Sequence, residues 1–308
     1  MSDIVVSADW VADRLDEVRI VDVRDLWIDA SVSLGFIAEG GVLERTSRRF
    51  QRAVLHAADA IAVTTETLGE HLCQQYGADL SPKVFLVPNG VDVDRFESAD
   101  GADLRIQSDE PVIVYVGNIG HAQNLDACIR AMGAMERDAE LRLIGGGDTV
   151  PELRETVETA GVSDSVTFTG PMPHEEIPSL LASADIGIAP LVDDGELAYA
   201  MPTKVYEYMG AGLPVVTTGR GEVERFVDSS NGGIHAESDV DSVARAFDRL
   251  LADEDLRERL GANGQAYVRS RYDRSVITET LHERLCHLTD SGETVHGDAT
   301  DSAVAGNE

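Results

Sequence analysis

The chain has 308 residues, enough for two domains of ordinary size, and its 43% hydrophobic residues can fill sizeable cores. Its 25 Lys+Arg against 56 Asp+Glu give a formal charge of −31, a surface that repels nucleic acid and anionic lipid and excludes nucleic-acid binding as its main business. Lysine occurs only at positions 83 and 204, the other basic residues being arginine, so the composition reads as that of an acidic, halophilic protein whose self-repulsion is screened by a salty cytoplasm.

In chain order, residues 1–19 mix charged and apolar side chains, with a helix predicted over Ala8–Val18. Ile20–Val23 reads as a short strand, and Arg24–Trp27 as the loop that ends it. Leu43–Ala57 is amphipathic, with Arg45, Arg48, Arg49 and Arg52 as a basic patch that reads first as a solvated helix face and second as a meeting point for phosphate headgroups. A strand at Ala60–Thr64, a helix at Glu66–Tyr76 and a strand at Lys83–Val87 follow. Pro88-Asn89-Gly90 is a turn signal, and the acidic, poorly periodic stretch from Asp92 to Glu110 reads as a linker.

Beyond it, short apolar strands alternate with helices. Strands are predicted at Val112–Val116, Glu140–Ile144, Val166–Phe168, Asp185–Ala189, Leu213–Val216 and Gly233–His235. Helices are predicted at Leu125–Glu136, Glu152–Ala160, Glu175–Ala184, Pro202–Met209, Glu222–Asp228 and Val240–Ala252, then Asp255–Arg271 and Arg274–Leu288. This rhythm means an α/β fold with a parallel, doubly wound sheet. The expected organisation is a partial N-terminal domain over 1–95, a linker over 96–110, a complete nucleotide-binding domain over 111–272, a helix over 273–289, and an acidic tail over 290–308. That tail has five acidic residues and no Lys or Arg, and is expected to be disordered.

Cys73, Cys128 and Cys286 are scattered, with no CxxC, which indicates neither a disulfide framework nor a metal site. No signal peptide opens the chain and no apolar run reaches the ~18 residues of a membrane span, so a soluble, cytoplasmic protein is expected.

Ligands of such sheets bind beyond the carboxyl ends of the strands. Gly117-Asn118-Ile119-Gly120, Gly145-Gly146-Gly147-Asp148 and the loop Pro190–Met201 all fall there. Each glycine run is also what a tight strand-to-helix turn needs, and neither matches a Walker A or GxGxxG pattern. The segment Met201–Thr217 (MPTKVYEYMGAGLPVVT) carries more. Pro202 suits a helix start, the Gly210-Ala211-Gly212 turn stops the helix, and Leu213–Val216 continues as a buried strand. Lys204 and Glu207, three residues apart, share its first turn. A helix N-terminus with a lysine suits a diphosphate, and a carboxylate one turn on can accept from sugar hydroxyls. The plainer alternative is a capped helix with a solvated i,i+3 ion pair.

From about Val23 to Leu288 the chain resembles family 4 (group 1) glycosyltransferases of the two-Rossmann-domain GT-B fold. The resemblance is carried by Asp25-Leu26-Trp27, Ala58–Thr64, Val87–Asp92, Tyr115–Gly120, Leu143–Gly147, and Pro202-Thr203-Lys204 through Val216. It implies a retaining transfer of a sugar from a nucleotide-diphosphate donor, held by the C-terminal domain, to a glycan or lipid-linked acceptor, with no metal and no resident cofactor. It places Gly117, Asn118, Gly120, Gly145, Gly146, Gly147, Pro202, Thr203, Lys204 and Glu207 at the donor. Glu207 matches the second glutamate of the family's E-x7-E motif, which meets the donor ribose; the first falls at Tyr199, leaving Glu196 or Asp194 to supply a carboxylate to the donor sugar. The family's basic pair falls near Asn118 and Gln123, both neutral, so leaving-group stabilisation rests on Lys204 and helix-end N–H groups, with Arg220 as a second candidate. Lys204 and Glu207 are therefore the expected catalytic residues.

The N-terminal domain departs from the family. Only about its second half is present, and neither His56 nor His71 maps to the family's cleft histidine. An incomplete sheet leaves open a dimer formed through it and a non-catalytic nucleotide-binding remnant, and the lipid-linked acceptors of the family imply at most peripheral contact with the inner face of the membrane. Residues 1–25 resemble the opening of rhodanese-type sulfurtransferases, but no cysteine sits in an anion-binding loop after a strand.

Overall fold

A computed structural model of the chain describes residues 18–33, 35–98, 108–193 and 195–293. Asp194, the side chain of Glu196, most of the expected linker, the tail from 294 on, and nearly all of the sulfurtransferase-like start with its helix lie outside that description. By internal contacts the chain divides into two units. Unit 1 comprises 1–64, 69–87 and 277–308; unit 2 comprises 65–68 and 88–276.

Unit 1 is built on three parallel strands in the order β1-β2-β3: β1 (Ile20–Val23), β2 (Ala60–Val63) and β3 (Val84–Leu86). The Ala-Ile-Ala-Val run of β2 is buried throughout, as a central strand covered on both faces requires. β1 lies at an edge, with Ile20 exposed. Between the strands run α1 (Trp27–Ser33), α2 (Val42–Ala57) and α3 (Glu66–Tyr76), the last belonging to unit 1 from Gly69 on. The helix α1 starts where the sequence reading ended a loop. In α2, Arg48 bonds Glu44 at 2.7 Å and Asp29 at 3.0 Å, and Arg52 donates to the Gln75 carbonyl at 3.3 Å, so two of the four arginines of the basic patch are tied into the unit. Lys83 donates to the carbonyls of His56 and Ala58 at 2.8 and 2.7 Å, filling acceptors that the end of α2 leaves open.

Unit 2 carries a six-stranded parallel sheet in the order β6-β5-β4-β7-β8-β9. Its strands are β4 (Val112–Val116), β5 (Glu140–Ile144), β6 (Val166–Gly170), β7 (Ile186–Ala189), β8 (Val215–Thr217) and β9 (Gly233–His235). The chain enters at the centre, winds outward through β5 and β6, then returns to place β7 beside β4. Alternate strand residues point to opposite faces. Ile113, Tyr115, Leu141, Leu143, Ile186 and Ile188 therefore pack into one core, and Val112, Val114, Ile144, Ala189 and Val215 into the other. Two covered faces explain why β4, β7 and β8 read as apolar runs, while β5 and β6, toward the edge, alternate buried with more exposed residues.

The helices of unit 2 are α4 (Val93–Glu97), α5 (Leu125–Ala134), α6 (Val150–Ala160), α7 (Ile177–Leu181), α8 (Thr203–Gly210), α9 (Glu222–Ser230), α10 (Val240–Ala252) and α11 (Glu254–Arg271). A last helix, α12 (Arg274–Glu293), starts in unit 2 and belongs to unit 1 from Ile277 on. The sequence reading of Asp92 onward as an irregular linker is corrected for its first residues. Asp92 caps α4 by accepting from the Arg95 N–H, and Val93 and Phe96 are buried. The helix signal was hidden because α4 is a single short turn and half a second, too brief to show a period.

Candidate functional site

The switch point of the unit 2 sheet lies between β4 and β7, where winding reverses, and the carboxyl ends of these strands form the crevice that such sheets use for ligands. Three loops reach it from the sheet. The loop after β4 begins at Gly117, whose N–H donates to the Ile144 carbonyl at 2.9 Å. The Ile119 N–H donates to the Gly146 carbonyl at 2.9 Å, and Thr149 Oγ1 donates to the Ile119 carbonyl at 2.9 Å. The loops after β4 and β5 are thus zipped together. Gly145 has φ +135°, and a Cβ on it would stand 1.9 Å from the Gly117 carbonyl oxygen, so only glycine fits. A Cβ on Gly147 would meet the Ile119 carbonyl just as closely. The Gly120 N–H is taken by Gln123 Oε1 at 3.1 Å and that of Gly145 by the Gly170 carbonyl at 2.9 Å. In this conformation Gly117, Gly120 and Gly145 offer close approach rather than spare donors. The third loop comes from β6, where the pairing with β5 slips so that Ile144 faces Gly170; Gly170, at φ +79°, then turns the chain into Pro171–His174.

Val116, Gly117, Asn118, Ile144, Gly145, Gly146, Pro171, Met172, His174 and Ile177 enclose a cleft of about 320 Å³. Helix α8 starts beside it. Pro202 is the N-cap rather than the first helical residue, one position from the sequence expectation, and no side chain caps the helix. The N–H groups of Thr203 and Lys204 precede the first intrahelical bond, so they are free to face an anion. The helix is held by its buried face, Val205, Tyr206, Tyr208 and Met209. Tyr208 Oη also accepts from the Val116 N–H at 2.7 Å, which pins α8 to the end of β4.

That docking sends Lys204 and Glu207 in different directions, and no ion pair joins them. Lys204 folds over Gly117 and the ring of Tyr115, with Nζ 4.6 Å from the ring centroid and donating to Tyr115 Oη at 3.3 Å. The Tyr115 hydroxyl donates in turn to the Asn118 carbonyl, so its lone pairs remain for the lysine. Burial pushes the Lys204 ammonium down to about 8, against the opposing pull of the Glu207 charge. Burial also raises the Tyr115 hydroxyl, which keeps it a neutral donor. Glu207 reaches the other way, with Oε1 3.0 Å from His174 Nε2. Arg220 stands exposed and paired with Asp193 at 3.1 Å and Glu237 at 3.2 Å. The loop before α8 is held at its far end, where the Glu222 N–H donates to the Ala198 carbonyl at 2.8 Å.

The family model for glycosyl transferases group 1 matches residues 97–267, more than half of the chain. The chain belongs to the group 1 glycosyl transferases. Among curated relatives, a D-inositol 3-phosphate glycosyltransferase of Corynebacterium jeikeium is 27% identical over 298 residues, covering 88% of this chain and 70% of its own length. A GDP-mannose-dependent alpha-(1-6)-phosphatidylinositol monomannoside mannosyltransferase of Mycobacterium tuberculosis is 27% identical over 293 residues, covering 86% and 76%. Among solved structures, a sucrose-phosphate synthase of Thermosynechococcus elongatus aligns with TM-score 0.73 at 22% identity, covering 92% of this chain and 71% of that one. Anabaena HepE in complex with UDP-glucose aligns with TM-score 0.73 at 18% identity, covering 87% and 72%. These likenesses establish the GT-B fold of two Rossmann-like units.

The residues singled out in the sequence of this group 1 glycosyl transferase lie on one rim of the unit 2 sheet, and that reading left out three side chains wired to them. Tyr115 meets Lys204, His174 meets Glu207 and Arg95 holds His174, and each sits far in the sequence from the residue it serves. The available signal was weak: His174 ends a proline-bracketed segment after a strand, on the same rim as the glycine loops. Burial raises Cys73 and pushes fully buried Cys128 up to about 12, the opposite of the lowered thiol a sulfurtransferase nucleophile needs. Among the described residues no three His, Cys, Asp or Glu side chains gather as metal ligands, and no helix is long and apolar enough to cross a membrane.

Proposed function

We propose that the protein transfers a sugar, with retention, from a nucleotide-diphosphate donor to a glycan or lipid-linked acceptor, and that unit 2 holds the donor. The observation that carries this reading is Lys204, a desolvated cation on the first turn of α8, packed against the glycine loop of the central strand at the switch point. Lys204 and the free N–H groups at the start of α8 would receive the diphosphate and stabilise it as the leaving group. Glu207, one turn on, would accept from the ribose hydroxyls. Gly117, Asn118, Gly120, Gly145, Gly146 and Gly147 would form the wall that the phosphates and sugar approach, and Glu196 or Asp194 would serve the donor sugar. The chemistry asks for no resident cofactor and no metal. The names of the curated relatives support an inositol-containing or lipid-linked acceptor, which would bring the protein to the inner face of a membrane.

Calorimetry with UDP, GDP and their sugars, at salt from 0.1 M to molar concentrations, tests the reading. Binding of one nucleotide series is the expected result; no binding at any salt rejects it. Magnetic resonance of the product's anomeric centre tests retention. A second reading, a nucleotide-binding module without turnover, draws support from Tyr199 in the place of the motif's first glutamate and from the three-stranded sheet of unit 1. Turnover of the bound donor onto an acceptor would reject that second reading.

A further inference from the structure

Glu207 is held by a chain of side chains that comes from two other parts of unit 2. Arg95, on α4, reaches His174 twice. Its Nη1 lies 3.2 Å from the ring Nδ1, and its Nη2 donates to the His174 carbonyl at 2.9 Å. A guanidinium only donates, so His174 Nδ1 must accept. The ring proton therefore sits on Nε2, 3.0 Å from Glu207 Oε1, and donates to it. Arg95 sets the tautomer and His174 spends its single N–H on the glutamate. Among the described residues no group donates to Glu207 Oε2. The Glu207 side chain is mostly buried while the His174 ring lines the cleft. A glutamate that would otherwise sample several rotamers is thus fixed, with one oxygen spoken for and the other open.

We propose that His174 and Arg95 are positioning residues for nucleotide recognition: Arg95 locks the His174 tautomer, and His174 aims Glu207 so that Oε2 accepts from the ribose hydroxyls of a nucleoside diphosphate. This rests on the reading of unit 2 as the donor site. The two oxygens of Glu207 divide the work, one bonded to protein and one to sugar. The arrangement also explains why the glutamate turns away from Lys204, three residues earlier on the same helix. An ion pair there would close off both groups.

The full chain is titrated with UDP and GDP and with their 2′,3′-dideoxy counterparts, as wild type and as His174→Phe, His174→Gln, Arg95→Met and Glu207→Ala. In wild type the ribose-bearing nucleotide binds more tightly than its dideoxy form. His174→Phe weakens the ribose-bearing nucleotide by about tenfold, the size of one hydrogen bond to a charged group, and leaves the dideoxy affinity unchanged. The dideoxy affinity also reports that the variant is folded. His174→Gln, whose amide can donate in place of Nε2–H, restores most of the loss. Arg95→Met produces a smaller loss, again confined to the ribose-bearing ligand. If His174→Phe leaves the ribose-bearing affinity unchanged, or weakens both ligands alike, the inference is overturned. A ribose preference that depends on Glu207 but not on His174 overturns it while keeping the donor-site reading; failure of every nucleotide to bind wild type removes both.

Discussion

Burial makes Lys204 a liability to folding. Its ammonium is pushed down to about 8, so the unfolded chain, where a lysine titrates near 10.4, binds its proton more tightly than the folded one. The resulting penalty is fully present below pH 8 and fades as pH climbs through the unfolded value. It amounts to at most about 3 kcal/mol, reduced by whatever water reaches the group. Lys204→Met should therefore raise the melting temperature of the unliganded protein at pH 7, and the gain should vanish above about pH 10.5; scanning calorimetry across that range reads it. Nucleotide diphosphate should reverse the sign. An anion beside Nζ restores the proton, so wild-type affinity falls as pH rises through about 8, and binding near pH 8.5 takes up protons. Calorimetry in buffers of different ionisation enthalpy measures that uptake. Lys204→Met should lose about 1–3 kcal/mol of diphosphate affinity, and an unchanged affinity would return the lysine to a packing role. The sequence shows that Lys204 and Glu207 share one helix turn, but not their wiring. Tyr115 lies 89 residues from Lys204 and His174 lies 33 from Glu207, and spacing on one helix is silent about partners brought by other strands.

At the scale of elements, the loops after β4 and β5 are locked to each other by backbone bonds and close glycine contacts. The closeness of Gly145 to the Gly117 carbonyl and its positive φ make Gly145→Ala costly, by about 2 kcal/mol or more, and the two zipped loops should part. At Gly146 an added Cβ would meet only Pro171 Cγ at an ordinary 3.5 Å, so Gly146→Ala should be nearly neutral. Urea unfolding of the two variants separates them, and the Gly145 variant alone should lose nucleotide affinity. Strands were the most legible elements. The bounds of β1, β4, β5 and β9 match the sequence reading, and the reason is plainest for β4, an unbroken apolar run because both of its faces are buried; β1, β5 and β9 interleave Asp22, Glu140 and Arg142, and His235 at exposed or partly exposed positions. The short helices α1 and α4 escaped, since one or two turns cannot display a 3.6-residue period. The helix expected over Glu175–Ala184 shrank to Ile177–Leu181, its start delayed to the residue before Pro178, which fits a first turn but no helix interior. The glycine loops were read as open phosphate cradles or plain turns. They are turns that press on one another, and the distinction rests on which carbonyl each N–H meets.

For the whole molecule, charge dominates. A formal −31 on 308 residues repels itself, and surface pairs such as Arg269 with Asp94 and Glu97 are exposed and offset little of it. Added salt should therefore raise the melting temperature between about 0.1 and 1 M KCl, where the screening length drops from about 10 to 3 Å. Thermal unfolding in KCl checks this; a flat or falling curve would reject the halophilic reading of the composition. Unit 1 pairs that charge with exposed apolar side chains, among them Phe36, Phe50, Val42 and Leu43, which salt will make stickier rather than more soluble. The division of the chain has a further consequence for its birth on the ribosome. Unit 2 is almost continuous in sequence, from 88 to 276, and once those residues clear the exit tunnel nearly all of its partners exist. Unit 1 is made first, yet α12, whose Arg284 guanidinium stacks 5.7 Å above the Phe85 ring, arrives last. Unit 1 thus stays incomplete until the residues beyond 276 have been made, and unit 2 can fold before it.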